Sequence, residues 1–423
     1  MKKILHYSLI SLLSILPIFT TSCSNSVLPT VYLETNGVEL PDRSDENYKD
    51  YAPSKLIYKD EKNLIQDING KARIRGTSSR WFPKKGYKIK FSQAVTLPNL
   101  SHSKKFNLLA SFLDPTLLRD YLALKISYNM NTKSNRYAPN PVLVNLNYDN
   151  KDYGLFYLVD DIDIAEDKIK LDPALNTAKE VPFLIEMDTI SYTKGEKGTY
   201  YFELGSTEVF KDSNGNPMPL SYAIQYPEVT SKEQFNYIES YISSCREALV
   251  NKDLNNFSSL VDIDAFIDFF LLGELFRNTD MAGRSVFMYL KSSQDKLILG
   301  PSWDFDYTCS RPYQMEPNND FTLENAKDRF TDYDWWKLFL DIEGSEALIK
   351  QRYTSFLRKI YLNEIKNAKK HFKNNQQRIY ENANIWYLKN TLDTKKLVDD
   401  NYNWTFSYFE LRMEMMDNLF LKK

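Results

Sequence analysis

The stretch Glu274–Asp306, ELFRNTDMAGRSVFMYLKSSQDKLILGPSWDFD, constrains the fold more than any other part of the chain. Ser285–Leu290 (SVFMYL) and Lys296–Leu299 (KLIL) read as two strands, and the polar SSQD before Lys296 suits a hairpin turn. If Leu290 faces Lys296, paired positions sum to about 586 in a regular antiparallel ladder, which sets Asp304 opposite roughly residue 282. Asp280 lies within a few residues of that point. Loops carrying Asn278, Asp280, Asp304 and Asp306 therefore converge at one end of the hairpin. Carboxylates gathered in this way repel one another, bind a cation or hold shifted pKa values.

The segment before the hairpin strengthens this reading. Asp264–Phe276 (DAFIDFFLLGELF) is apolar nearly all round, which predicts a buried helix running into Arg277-Asn278. A polar loop leaving such a helix stands on a rigid base. The order is buried helix, Asn/Asp loop, hairpin, then Trp303-Asp304-Phe305-Asp306. Protein kinases use the same order for catalytic loop, hairpin and metal-binding Asp-Phe. A single acid at a hairpin end is usually a turn cap, but the set in this order points to a metal site.

These residues carry a resemblance to the spore-coat protein H (CotH) kinase family, whose members show Glu-Leu-x-x-Asn-x-Asp followed by Gly-Pro-x-Trp-Asp-Phe-Asp. Here those elements are Glu274-Leu275-Phe276-Arg277-Asn278-Thr279-Asp280 and Gly300-Pro301-Ser302-Trp303-Asp304-Phe305-Asp306. Upstream, the resemblance takes in Arg75-Gly76-Thr77-Ser78-Ser79, Pro83-Lys84-Lys85-Gly86-Tyr87-Lys88-Ile89-Lys90-Phe91, Asp114 with Leu118-Arg119, and Tyr153-Gly154-Leu155-Phe156-Tyr157-Leu158. It covers about residues 70–310, in order. The family is similar to atypical protein kinases, so the resemblance implies phosphorylation of protein Ser or Thr with ATP and Mg²⁺. The chain departs from family members that carry Glu at the position of Asp160. It also lacks the His-Arg-Asp and Asp-Phe-Gly of ordinary kinases, and Ser285 stands where they place Asn five residues after the catalytic Asp.

In the N-terminal part, Lys71–Arg75 (KARIR) and Tyr87–Phe91 (YKIKF) alternate with period two, so each strand has an apolar face and a basic face. Between them, GTSSRWFPKKG (Gly76–Gly86) lets backbone amides approach an anion while Lys84 and Lys85 supply charge; an ordinary hairpin loop would use the same residue types. Lys90 is the first choice for the lysine that reaches nucleotide phosphates, with Arg75 and Lys88 as alternatives. Asp114-Pro115 fits an N-cap and first helical position, with an amphipathic helix over Leu117–Met130. Pro141–Leu146 and Gly154–Val159 flank the turn Asn147–Asn150, and the second strand runs into Asp160-Asp161-Ile162-Asp163. That connector is either a hinge between lobes, with Asp160 or Asp163 near the ribose, or a solvated acidic turn.

The expected fold class is α+β, atypical protein-kinase-like, with a β-rich N-lobe over residues 31–163 and a larger, mainly helical C-lobe over 164–423. The stretch at about 166–260 reads as an insertion in the larger lobe, with a strand at Val181–Met187 and a helix at Lys232–Val250. Further helices are expected over Trp335–Phe339, Ala347–Phe372, Gln376–Asn384 and Leu411–Leu421.

At the N-terminus, Lys2-Lys3, an apolar run from Ile4 to Phe19 and small residues before Cys23 read as a bacterial lipoprotein signal over residues 1–23, with Cys23 lipidated and 24–30 as a tether. This places the protein in the bacterial cell envelope, lipid-anchored at the outer membrane or cell surface. A net charge of −2 with dispersed basic residues gives no nucleic-acid signature. Three His and three Cys without clustering argue against zinc and against a disulfide scaffold.

Under the kinase reading, Asp280 is the general base, Asp304 the main Mg²⁺ ligand, and Asn278 and Asp306 complete or orient the metal shell. Lys90, Arg75 or Lys88 offset phosphate charge, and the partner is a protein substrate. The competing readings are a non-catalytic surface module that binds protein or glycan, and transfer of AMP instead of phosphate.

Overall fold

The computed structural model describes residues 27–41, 50–76, 78–175, 177–189, 200–227, 231–309, 323–329, 333–388 and 393–421. The signal segment, Cys23 and the first tether residues lie outside these.

Period-two patterning in the N-terminal part builds a nine-stranded sheet. Its strands are β1 (Thr30–Glu34), β2 (Ala52–Pro53), β3 (Lys55–Lys59), β4 (Leu64–Asp67), β5 (Lys71–Arg75), β6 (Gly86–Thr96), β7 (His102–Leu109), β8 (Val142–Tyr148) and β9 (Lys151–Asp160). The spatial order is β2-β5-β6-β7-β9-β8-β1-β3-β4, antiparallel except for β1 against β8. Leu33, Leu56, Ile89, Phe106, Phe156 and Leu158 fill one side of the curled sheet. The alternate residues of β9, Leu155, Tyr157 and Val159, join a second and larger core. Strand β9 is thus covered on both faces, which is why GLFYLV is unbroken apolar sequence. The β8–β9 turn is tighter than the expected four residues: Asp149 and Asn150 both take left-handed φ, as a two-residue hairpin loop requires.

Helix α1 (Leu118–Lys133) is buried nearly all round rather than amphipathic, because it lies between the sheet and the larger lobe. Asp114 does not cap it directly. Its carboxylate accepts from the Thr116 N–H (3.0 Å) and the Arg119 N–H (2.8 Å), while left-handed Leu117 breaks the chain just before the helix.

The larger lobe contains α2 (Lys232–Val250), α3 (Leu254–Leu260), α4 (Ile263–Phe276), α5 (Asp334–Leu340), α6 (Ser345–Arg352), α7 (Arg358–Tyr387) and α8 (Thr394–Phe420). It also holds a five-stranded antiparallel sheet of β10 (Phe183–Thr189), β11 (Tyr201–Lys211), β12 (Pro217–Tyr226), β13 (Val286–Leu290) and β14 (Ile298–Leu299), in the order β11-β12-β10-β13-β14. Strand β10 pairs with both β12 and β13, so the stretch expected as an insertion is built into the same sheet as the acid-bearing hairpin. That hairpin forms with its register one position from expectation: Met288 faces Leu299 and Tyr289 faces Ile298. Leu297 lies outside this ladder and bridges Val261 instead, its N–H donating to the Leu260 carbonyl (2.8 Å).

Helix α7 returns to the smaller lobe. Trp386 Nε1 donates to the Tyr153 carbonyl (3.0 Å), and Asn382 Oδ1 accepts from the Leu155 N–H (3.0 Å). The fold is α+β, as its sequence pattern predicts.

Candidate active site

Helix α4 is buried from Ala265 to Phe276 and ends at Arg277, which takes a left-handed φ of 50°. Glu274 in its last turn is 1 % exposed and pairs with fully buried Arg412 at 2.8 Å. Arg412 Nε also donates to the Glu274 carbonyl (2.8 Å), so the pair clamps the helix end that launches the acidic loop. Removing one partner of such a pair leaves an uncompensated buried charge, typically costing about 3–5 kcal/mol.

Asn278 is fully buried and joins the two acid-bearing loops. Its Oδ1 accepts from the Asp280 N–H (3.1 Å), and its Nδ2 donates to the Asp304 carbonyl (2.9 Å). Both side-chain groups of Asn278 are thereby engaged in tying the two loops together. Phe305 is buried against Phe276 with ring centroids 5.2 Å apart, which fixes Asp304 and Asp306 on either side of it. Asp304 itself has φ 66°. Left-handed Ser111 and Ser285 also line the cleft, and strain of this kind persists only where surrounding packing enforces it.

A further acid stands beside them. Asp120, from the first turn of α1, accepts from Ser111 Oγ (2.6 Å) and from the Phe305 N–H (2.9 Å). Burial pushes its carboxyl up to about 6, with the Asp304 charge adding to the rise. Asp304 is pushed up to about 6 by the surrounding protein and then by Asp280, against the pull of Arg75; its side chain opens onto the cleft, where water moderates the rise. Burial also raises Asp280, while neighbouring Arg284 opposes it. Asp306 is raised well above the ordinary range by burial and by the charges of Asp120 and Asp304. Such a group gains free energy from any cation that enters.

These acids form the floor of a cleft of about 470 Å³ between the lobes. Arg75 and the loop residues Gly76, Ser78, Ser79 and Lys84 line its small-lobe side. Gly76 has φ +95°, and a Cβ there would lie 1.9 Å from Ser79 Oγ, so the tight loop requires glycine. Lys84 is fully buried, donates from Nζ to the Leu155 carbonyl and lies 4.5 Å from the Phe156 ring centre. Burial lowers its pKa to about 7. Among the described residues no three His, Cys, Asp or Glu side chains form a ready-made metal cage. Mg²⁺ seldom needs one, since it binds through one or two carboxylates and completes its shell with water and phosphate oxygens. The donor set therefore fits that ion.

The sequence profile of the CotH kinase protein family matches residues 72–416. The chain belongs to the CotH kinase family. A search of curated proteins finds no match. The family match runs from β5 to α8 and so spans both walls of the cleft.

Asp280, Asp304, Asp306 and Arg75 meet at the cleft as a group, whereas Lys90, Lys88 and Asp160 do not line it. Gly86 borders the cleft, and Lys90 lies four residues farther along β6, roughly 13 Å at strand rise. It sits opposite Lys71 and Lys105, with Nζ 5.9 Å from the Tyr51 ring centre. Lys88 pairs with Asp161 at 2.6 Å. Asp160 is 2 % exposed and accepts from Ser101 Oγ (3.0 Å), which makes it a strand-end anchor and not a residue of this cleft. Lys84, which the sequence offers as a source of charge in the loop, lines the cleft, as do Asp120 and Arg284, which the sequence does not single out. Lys84 in the loop and Arg73 and Arg75 on β5 reach the cleft, whereas Lys88 and Lys90 along β6 do not.

Proposed function

We propose that this member of the CotH kinase family transfers the γ-phosphoryl group of ATP to a Ser or Thr hydroxyl of a protein in the bacterial envelope. The observation that carries the reading is the opposition of Asp120, Asp280, Asp304 and Asp306 to Arg75 and the Gly76–Lys84 loop across one cleft. Triphosphate charge needs cations on one side, and a metal needs carboxylates on the other. In the proposed step the acceptor hydroxyl gives its proton to Asp280, its oxygen bonds to the γ-phosphorus, and the bond from that phosphorus to the bridging oxygen breaks to release ADP. Burial makes Asp280 a stronger base than an exposed carboxylate. Asp304 and Asp306 would hold Mg²⁺, which neutralises phosphate charge when bound. Asn278 and Asp120 keep those acids in place through the backbone of residues 304 and 305.

The deciding experiment adds ATP and Mg²⁺ to the purified chain, follows melting, and measures transfer of labelled γ-phosphate to itself or to added proteins. Mass gain on the acceptor separates phosphate (about 80 Da) from AMP (about 329 Da). A parent that is neither stabilised nor able to transfer label with Mg²⁺ or Mn²⁺ would leave only the binding-module reading. The envelope location rests on the N-terminal signal pattern. Cys23→Ala should release the protein from the membrane fraction without lowering its melting temperature, and unchanged membrane association would remove the lipid anchor.

A further inference from the structure

We propose that Arg284 is a catalytic residue that grips the phosphoryl group during transfer, an inference that rests on the phosphotransfer reading above. Arg284 lines the cleft from the larger lobe, with Nη1 3.7 Å from Asp280 Oδ1. It is held there twice. Its guanidinium lies 3.7 Å from the centre of the Phe210 ring on β11, and its backbone N–H donates to the Asp280 carbonyl (2.6 Å), which closes the turn that carries both residues. That turn is itself pressed onto the second sheet: a Cβ at Gly283 would meet Leu220 Cδ2 at 2.5 Å and Thr207 Cγ2 at 3.2 Å. A planar cation so placed has little freedom left to lose when an anion arrives.

Position decides what that cation does. An acceptor hydroxyl that gives its proton to Asp280 must touch that carboxylate, and the phosphorus it attacks lies about 3–3.5 Å farther on. Arg284, beside the same carboxylate, borders the path of the phosphoryl group. Arg75 and Lys84 approach from the small-lobe side. A role limited to steadying Asp280 fits the geometry poorly, because an ion pair at 3.7 Å with side chains 28 % and 26 % exposed contributes little on its own. The backbone of Asp280 is already held by Asn278.

The test uses the full chain with Mg²⁺ and compares binding of ADP alone with binding of ADP plus aluminium fluoride, a planar mimic of the phosphoryl group in flight. The parent should bind the pair more tightly than ADP. Arg284→Gln should keep ADP affinity within about twofold and lose at least tenfold of the gain from fluoride, and Arg284→Lys should recover part of it. With a working transfer assay, Arg284→Gln should lower kcat on the order of 10²–10³-fold while KM for ATP moves little. A glutamine variant that binds the mimic as the parent does overturns the inference and leaves phosphotransfer intact. So does a variant that loses ADP and mimic binding equally along with melting temperature, since that is a structural defect. A parent with no gain from fluoride overturns the inference together with the reading beneath it.

Discussion

Two acidic segments of this chain look alike in sequence and are held differently in the fold. The connector Asp160-Asp161-Ile162-Asp163 and the site segment Trp303-Asp304-Phe305-Asp306 each mix acids with apolar residues at or just beyond a strand end. In the connector every acid finds a donor: Asp161 meets Lys88 at 2.6 Å and Asn107 at 3.0 Å, Asp163 meets Lys105 at 2.8 Å, and Asp160 accepts from Ser101. In the site segment the acids are crowded by Asp120 and Asp280 and pushed up in pKa. The first set holds strands together, and the second is held together by its surroundings. What separates them is the supply of cations, which for the connector comes from the strand faces of β6 and β7.

The sharpest break of this contrast is expected at Asp280. Asp280→Asn should lower phosphate transfer by roughly 10²–10⁴-fold while most ATP–Mg²⁺ affinity survives, because a general base acts in the transition state more than in binding. Labelled transfer and binding titration in parallel check it, and full transfer by a folded variant would remove Asp280 from catalysis. Asp304→Asn should abolish Mg²⁺-dependent stabilisation by ATP, yet leave the metal-free protein as stable as the parent or more so, since it relieves repulsion. An equal melting shift for parent and variant would exclude Asp304 as a ligand. A substitution in the connector should do the reverse. Asp161→Asn strands Lys88 and should cost about 1–3 kcal/mol of stability by denaturant melting, with ATP affinity at low temperature close to the parent's. If it weakens ATP binding and leaves stability untouched, the connector belongs to the site after all.

The acidic wall was legible because it is local: α4, its loop and the hairpin lie in one stretch, and periodicity and turn chemistry settle how they meet. Even a register one position off brought Asp280 and Asp304 to the same end. The basic wall was not legible in the same way. Choosing Arg75 and Lys84 over Lys90 needs the place where β6 meets the cleft, and the curl of a nine-stranded sheet sets that place. Asp120 is 185 positions from Phe305, whose N–H it accepts, and in sequence it is an ordinary acid in a helix's first turn. The first half of α8 escaped notice because Asp399-Asp400-Asn401-Tyr402-Asn403 is weak helix sequence; buried Val398, Asn401 and Thr405 hold it in place.

The smallest expected effect, and the finest test of the contrast, is the sign of pH dependence without Mg²⁺ or nucleotide. Burial raises Asp161, but Lys88 and Asn107 outweigh it and hold the folded pKa below the ordinary value. Between that folded value and the ordinary one the unfolded chain binds more protons, so this acid's stabilisation is present at neutral pH and lost as pH falls through the acidic range. Asp304 runs the other way. With its folded pKa raised from 3.8 to about 6, the native state binds more protons over that window, and stability from this group grows as pH falls through it. Melting the parent, Asp161→Asn and Asp304→Asn with a chelator from about pH 7 down to about pH 2 separates the two. Relative to the parent, Asp161→Asn should lose least at the acid end, where its acid was already failing. Asp304→Asn should gain most at neutral pH, where repulsion in the parent is greatest, and its advantage should shrink on acidification. Parallel curves for the two variants would mean that both acids live in the same kind of environment, and the distinction drawn from their neighbours would fall.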